Sequence, residues 1–187
     1  IDGIWIAGLG QEAIAGIGFI TPIFMILNGV SVGLGSGATS SISRFVGAKN
    51  HKKASQSAAH SLLIFLIASV VLTIVLLILQ EPLLKLYGAS GESLAQGIKY
   101  GTPLFLGLFA FIFANGASGI LRGEGDMKRA MYTVVVSVIL NAILDPICIY
   151  ILGWGSAGAA IATILSSICS AIVILYWILV KKDTYVD

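Results

Sequence analysis

The chain has 187 residues, of which 57% are hydrophobic and only 11% charged, with a net charge of +2 and a mean hydropathy of +0.98. A soluble domain carries about 25% charged residues, so this composition excludes a water-coated globular enzyme. It also excludes intrinsic disorder, which requires a chain poor in apolar residues. What remains is an integral membrane protein built of helices, and the near-neutral charge gives no footing for nucleic acid as a partner.

Residue 1 is Ile, and the chain opens inside an apolar segment that runs to Gly10. That segment is shorter than the roughly 20 residues of a span, and no basic region precedes it as in a signal peptide. It reads as a chain that begins partway through a helix. Charge-free windows mark the following spans: Ala13 to Ser43, Ala54 to Gln80 and Tyr100 to Leu121. The last window, Ala130 to Val180, holds the single charge Asp145 and is broken at Gly153-Trp154-Gly155-Ser156. The predicted set is one partial helix near 1–10 and whole spans near 14–43, 56–79, 97–121, 129–151 and 157–180.

In the first whole span Gly29, Gly33, Gly37 and Ser41 recur every four residues. This spacing predicts a face on which two helix backbones approach closely. The run Gly33-Leu34-Gly35-Ser36-Gly37 lies inside an apolar span and lacks a following Lys-Ser/Thr, so it is not a phosphate loop. Cys148 and Cys169 both sit in apolar runs and read as small buried hydrophobes, not as a disulfide or a metal site.

The loops set the orientation. Arg44, Lys49, Lys52 and Lys53, then Arg122, Lys128 and Arg129, then Lys181 and Lys182 occupy alternate loops. The other loops hold only Lys85 and Lys99. By the positive-inside rule, loops 44–53, 122–129 and 181–187 are expected on the cytoplasmic side of a prokaryotic plasma membrane.

Asp145 stands in the middle of an otherwise uncharged span. An ionised carboxylate there costs about 2.5–3.5 kcal/mol on insertion scales, so it reads as an ion or proton site, the alternative being a protonated packing carboxyl. Asn141 precedes it by four residues and shares its helix face. Pro146 follows directly, and its ring predicts a kink that frees the carbonyl of Ala142. Carboxylate, amide oxygen and loose carbonyl are hard donors suited to a hard cation such as Na⁺. Asp2 is a second carboxylate, either within the membrane or at its interface. Two carboxylates at one cavity would shift each other's protonation. Asn115 is the only amide in its span and reads equally as an interhelical hydrogen bond or a ligand. Thr163 offers a hydroxyl, His60 reads as interfacial, and Asn28 has no evident partner. No nucleotide-binding, metalloprotease or thiol-redox motif is present. A buried carboxylate without an ATP motif suggests a secondary transporter, with no enzymatic reaction and no cofactor expected.

Four blocks of residues sharpen this reading. They are Ala7-Gly8-Leu9-Gly10-Gln11-Glu12-Ala13-Ile14-Ala15, Gly33 to Arg44 continuing to Gly47-Ala48-Lys49, Leu121-Arg122-Gly123-Glu124-Gly125-Asp126 with Lys128, and Asn141-Ala142-Ile143-Leu144-Asp145-Pro146 followed by Gly153 and Gly158-Ala159-Ala160. In this order and spacing the chain resembles, across essentially its whole length, the N-terminal half of a multidrug and toxic compound extrusion (MATE) transporter. It is most similar to the prokaryotic branch with DNA-damage-inducible and archaeal members. The resemblance implies an all-α membrane protein of twelve helices, with this chain as one six-helix lobe, its first helix truncated. It implies an antiporter exporting organic, often cationic, compounds in exchange for Na⁺ or H⁺. Its partners would be a small organic substrate, membrane lipid and the missing C-terminal lobe. Asp2 and Asp145 match the family's cation-coupling carboxylates, Asn141 and Asn115 its polar partners, and Ala159 and Thr163 the positions that supply a carbonyl and a hydroxyl. The family's first helix often carries a proline ahead of the acidic residue, and that stretch precedes Ile1.

Two alternatives stand beside it. A lipid-linked-oligosaccharide flippase of the same superfamily would want cationic residues in its cavity, and the only Lys or Arg in the predicted spans, Lys99 and Arg129, stand at span ends. A non-transporting membrane scaffold would leave Asp145 dispensable.

Overall fold

A computed structural model describes Trp5, Gly8 and residues 10–179. Its helices are α1 (Gln11–Gly47), α2 (His51–Leu86), α3 (Gly91–Leu106), α4 (Leu108–Glu124), α5 (Met127–Pro146) and α6 (Gly155–Leu179), with a π-helical turn at Ile147–Ile151 between the last two. Among the described residues four helices are long and apolar enough to cross a membrane, and the α3–α4 pair makes a fifth. The predicted partial helix near 1–10 lies largely outside the described residues.

The helices overrun their apolar windows. At 37 and 36 residues, α1 and α2 are each about 55 Å long, well beyond a hydrocarbon core of about 30 Å. The α1–α2 turn is tight. Asn50 N–H donates to Phe45 O at 2.9 Å, Lys49 takes a left-handed backbone with φ 54°, and Asn50 Oδ1 accepts from Lys53 N at 3.1 Å to cap α2. Much of α2 turns its apolar side chains outward, among them Leu63, Ile67, Val71, Ile74 and Ile78. In a soluble protein such a surface would aggregate. In a bilayer it meets lipid.

The single span predicted at 97–121 is two helices, α3 and α4, bent by 49°. Pro103 withdraws one backbone donor. Gly107 then sits where a Cβ would lie 2.1 Å from Ile164 Cγ1, so the chain passes close to α6 at the break.

The chain divides into two compact units. The first comprises 1–27, 71–108 and 138–166, and the second 28–70, 109–137 and 167–187. In the first unit Gly16 brings α1 against the α3 backbone, a Cβ there standing 2.7 Å from Gly97 N and Ser93 O. Gln80 Nε2 donates to Thr102 Oγ1 at 3.1 Å, Thr73 Oγ1 to Phe105 O at 3.1 Å, and Ser156 Oγ to Gln96 Oε1 at 2.9 Å. Ile20, Leu84, Phe105 and Ile149 are buried among these contacts.

In the second unit α1 and α4 meet through backbone. A Cβ on Gly119 would lie 2.4 Å from Gly35 O, and Thr39 Oγ1 is 2.7 Å from Gly119 O. Asp126 caps α5 by accepting from Arg129 N at 3.0 Å and pairs with the Arg129 guanidinium at 3.2 Å. That guanidinium also lies 5.9 Å from the centre of the Trp177 ring. Ser170 Oγ donates to Thr133 O at 3.1 Å, joining α6 to α5.

Of the predicted close-packing face only Ser41 reaches a neighbouring helix, at 2.7 Å from Ser57 Oγ. Gly29, Gly33 and Gly37 have no atom within 4 Å of where a Cβ would stand. The seam runs instead through Gly35, Thr39 and Ile42, opposite Asn115, Gly119 and Gly123. Four-residue spacing was the right signal one face away, because Gly35 and Thr39 repeat at the same interval as Gly33 and Gly37.

Candidate functional site

Asp145 is fully buried, with 0% of its surface exposed. It lies on the last turn of α5, in the first unit. Asn141, one turn earlier on the same face, directs Nδ2 toward Asp145 Oδ1 at 3.4 Å and toward Thr163 Oγ1 of α6 at 3.2 Å. Thr163 Oγ1 in turn donates to the carbonyl of Ala159 at 3.1 Å. A carboxylate, an amide, a hydroxyl and a backbone carbonyl thus form one connected row across two helices. Ala159, Ala160 and Ala162 are all fully buried beside it.

The local sequence explains the convergence. Pro146 has no N–H, so the bond to Ala142 O cannot form, and α5 stops there. The chain continues as a π turn closed by Leu152 N to Ile147 O at 2.9 Å. The predicted kink is realised as this change of helical pitch, a device common at functional sites. Gly158 then lets α6 approach the turn: a Cβ there would stand 2.5 Å from Cys148 O. That contact brings the start of α6 against the end of α5 and sets Ala159 and Thr163 opposite Asn141. Tyr150, also in the π turn, donates its hydroxyl to the carbonyl of Trp5 and meets the Trp5 ring edge-on at 6.5 Å between centroids.

Of the predicted site residues, the structure brings together Asp145, Asn141, Thr163 and Ala159. Asn115 belongs to the second unit, where its Nδ2 donates to Phe111 O at 2.9 Å. Asp2 lies outside the described residues. Both cysteines are free thiols. Among the described residues no group of three or more His, Cys, Asp or Glu is clustered as a transition-metal site would be, and the Asp145 donors are all oxygen or amide. The contributions of Gly158 and the Cys148 backbone to the site were not predicted. Their signal was the glycine spacing after Pro146, which fixes where α6 can touch.

A family model for MatE matches residues 1–147. The chain is 30% identical over 179 residues to the probable multidrug resistance protein YoeA of Bacillus subtilis, covering 93% of this chain and 38% of that protein. It is 29% identical over 184 residues to a FAD transporter of Shewanella oneidensis, covering 96% and 41%. Among solved structures, an inward-facing multidrug resistance MATE family transporter is 46% identical with a TM-score of 0.97, covering all of this chain and 42% of that one. A Pyrococcus furiosus transporter of the MOP superfamily, described as having a binding pocket of reversed polarity, is 46% identical with a TM-score of 0.95. The chain spans about two fifths of the length of these relatives. It is an all-α membrane chain with the fold of one lobe of the solved MATE structures, and it belongs to the MatE family.

Proposed function

We propose that the chain is the cation-coupled lobe of a secondary antiporter that exports organic compounds in exchange for Na⁺ or H⁺. The observation that carries this reading is the fully buried Asp145 joined through Asn141 to Thr163 and the Ala159 carbonyl. A carboxylate in an uncharged span is costly unless it meets a cation or takes a proton. With Na⁺, Asp145 supplies the charge, Thr163 Oγ1 and Ala159 O supply neutral oxygens, and the Asn141 amide turns its oxygen inward. With H⁺, the proton resides on Asp145, and Asn141 Oδ1 accepts from it.

Either ion neutralises the carboxylate, and Na⁺ also bridges α5 to α6 through Thr163 and Ala159 O. Coupling then follows from linkage. If the neutralised arrangement of the lobe disfavours substrate, each ligand lowers the other's affinity by the same factor. A coupling of about 1–3 kcal/mol corresponds to 5–150-fold.

The test uses the full-length protein in proteoliposomes. Efflux of a fluorescent organic cation is recorded under an imposed Na⁺ gradient and then under a proton gradient. One gradient is expected to drive efflux in the wild type and to fail in Asp145→Asn. Wild-type efflux by Asp145→Asn would overturn the reading.

A further inference from the structure

The glycine face of α1 that packs on nothing opens onto a crevice. It has a volume of about 800 Å³ and lies between residues 30–45 of α1 and 53–65 of α2, entirely within the second unit. Gly33 and Gly37 create it: no atom stands within 4 Å of either missing Cβ. The crevice follows the helical hairpin for about 22 Å.

Its lining changes character along that length. Near the α1–α2 turn the walls are Lys53, Gln56 and Ser57 facing Ser41 and Phe45. Ser41 Oγ and Ser57 Oγ are 2.7 Å apart, and Lys53 Nζ lies 6.0 Å from the centre of the Phe45 ring. One turn further along α2 the lining is His60 and Ser61, and beyond them it becomes Val30, Leu34, Ile64 and Phe65. Ile64 is 53% and Val30 39% exposed, so the apolar end opens sideways, beside the outward apolar face of α2. The polar end adjoins the most basic loop of the chain, with Arg44, Lys49 and Lys52 near Lys53. Among the described residues Lys53 is the only Lys, Arg, Asp or Glu that lines the crevice.

We propose that this crevice binds an acidic membrane phospholipid. Its acyl chain fills the glycine-lined apolar end, and its phosphate meets Lys53 and the Ser57–Gln56 rim. The gradient from cation to hydroxyls to aliphatic wall matches such a molecule from headgroup to tail. A soluble anion would leave the apolar half empty, and a zwitterionic lipid would bring its own cation to the Lys53 end, where an acidic lipid brings a net negative charge. The site is separate from Asp145 and stands whether or not Asp145 couples transport.

The test uses the purified full-length protein, delipidated. Phosphatidylglycerol, phosphatidylcholine with the same chains, and glycerol phosphate alone are compared by native mass spectrometry and by the shift in unfolding temperature. Wild-type protein is expected to retain phosphatidylglycerol in preference to phosphatidylcholine and to ignore glycerol phosphate. Gly37→Leu starts from a Cβ with no atom within 4 Å and directs its side chain into the crevice, and it is expected to abolish that retention. Lys53→Gln, at an exposed position, is expected to weaken it about fivefold. Equal retention of the two lipids by the wild type would overturn the proposal. So would stabilisation by glycerol phosphate alone, undiminished retention in Gly37→Leu, or a Gly37→Cys variant that cross-links to the second half of the full-length protein.

Discussion

Gly119→Ala adds one methyl group at the α1–α4 seam. Its Cβ would stand 2.4 Å from Gly35 O and 2.9 Å from Gly35 C and Cα. Those atoms are backbone, so no rotamer change makes room. To reach even 3.0 Å the helices must part by about 0.6 Å, a gap that forfeits a quarter to a half of each dispersion contact along the seam. Overpacking of this kind costs about 1–3 kcal/mol. Parting also strains the Thr39 Oγ1 contact to Gly119 O, a bond of roughly 0.6 kcal/mol in a membrane helix pair. Alanine's better helix propensity returns up to about 1 kcal/mol. The net expectation is a loss of about 1–2 kcal/mol. Thermal unfolding of the full-length protein in detergent reads the effect. Gly116→Ala is the internal comparison, because its Cβ would meet the Phe65 ring at 2.5 Å, a side chain that can be trimmed. Phe65→Leu should rescue Gly116→Ala, with a coupling of about 0.5–3 kcal/mol in a double-mutant cycle, and should not rescue Gly119→Ala. Rescue of both, or a neutral Gly119→Ala, would refute the backbone-contact argument.

Further outcomes follow from the Asp145 cluster. Thr163→Val keeps the shape of the side chain and removes the hydroxyl between Asn141 and Ala159 O. It should cost about 1 kcal/mol of stability and weaken coupling-ion affinity about threefold to tenfold, the value of one hydrogen bond. Gly158→Ala drives a Cβ to 2.5 Å from Cys148 O and lifts α6 off the π turn. It should cost about 1–3 kcal/mol and slow gradient-driven efflux, since Thr163 moves away from Asn141. Wild-type stability in Gly158→Ala would show that α6 does not rest on this contact.

Much of the helix plan was readable because a bilayer imposes a simple rule: charge leaves the span. Each predicted whole span overlaps a described helix, but the one at 97–121 runs two helices together and the ends differ. Hydropathy stops at the membrane surface, whereas backbone hydrogen bonding carries α2 from residue 51 to 86 instead of the predicted 56–79. The break at Gly107 stayed hidden because Pro103 and Gly107 sit in an uncharged stretch, and averaged hydropathy is blind to a 49° bend.

Asp145 and Asn141 were legible together because a helix places residues four apart on one face. Thr163 and Ala159 were not legible from periodicity. They lie on another helix, a threonine is ordinary in a membrane span, and a carbonyl donor has no sequence signature. Only the family resemblance pointed to them. The Gly33–Gly37 stripe shows the opposite failure. A packing seam and an open crevice have the same spacing, and only what stands across from the glycines distinguishes them.

Cation binding to the purified full-length protein tests the central claim most directly. Radioactive sodium binding and proton uptake are measured on the same samples, for wild type, Asp145→Asn and Thr163→Val. The account predicts one saturable cation in the wild type, weakened in Thr163→Val and absent in Asp145→Asn. Undiminished cation binding in a folded Asp145→Asn protein would contradict it.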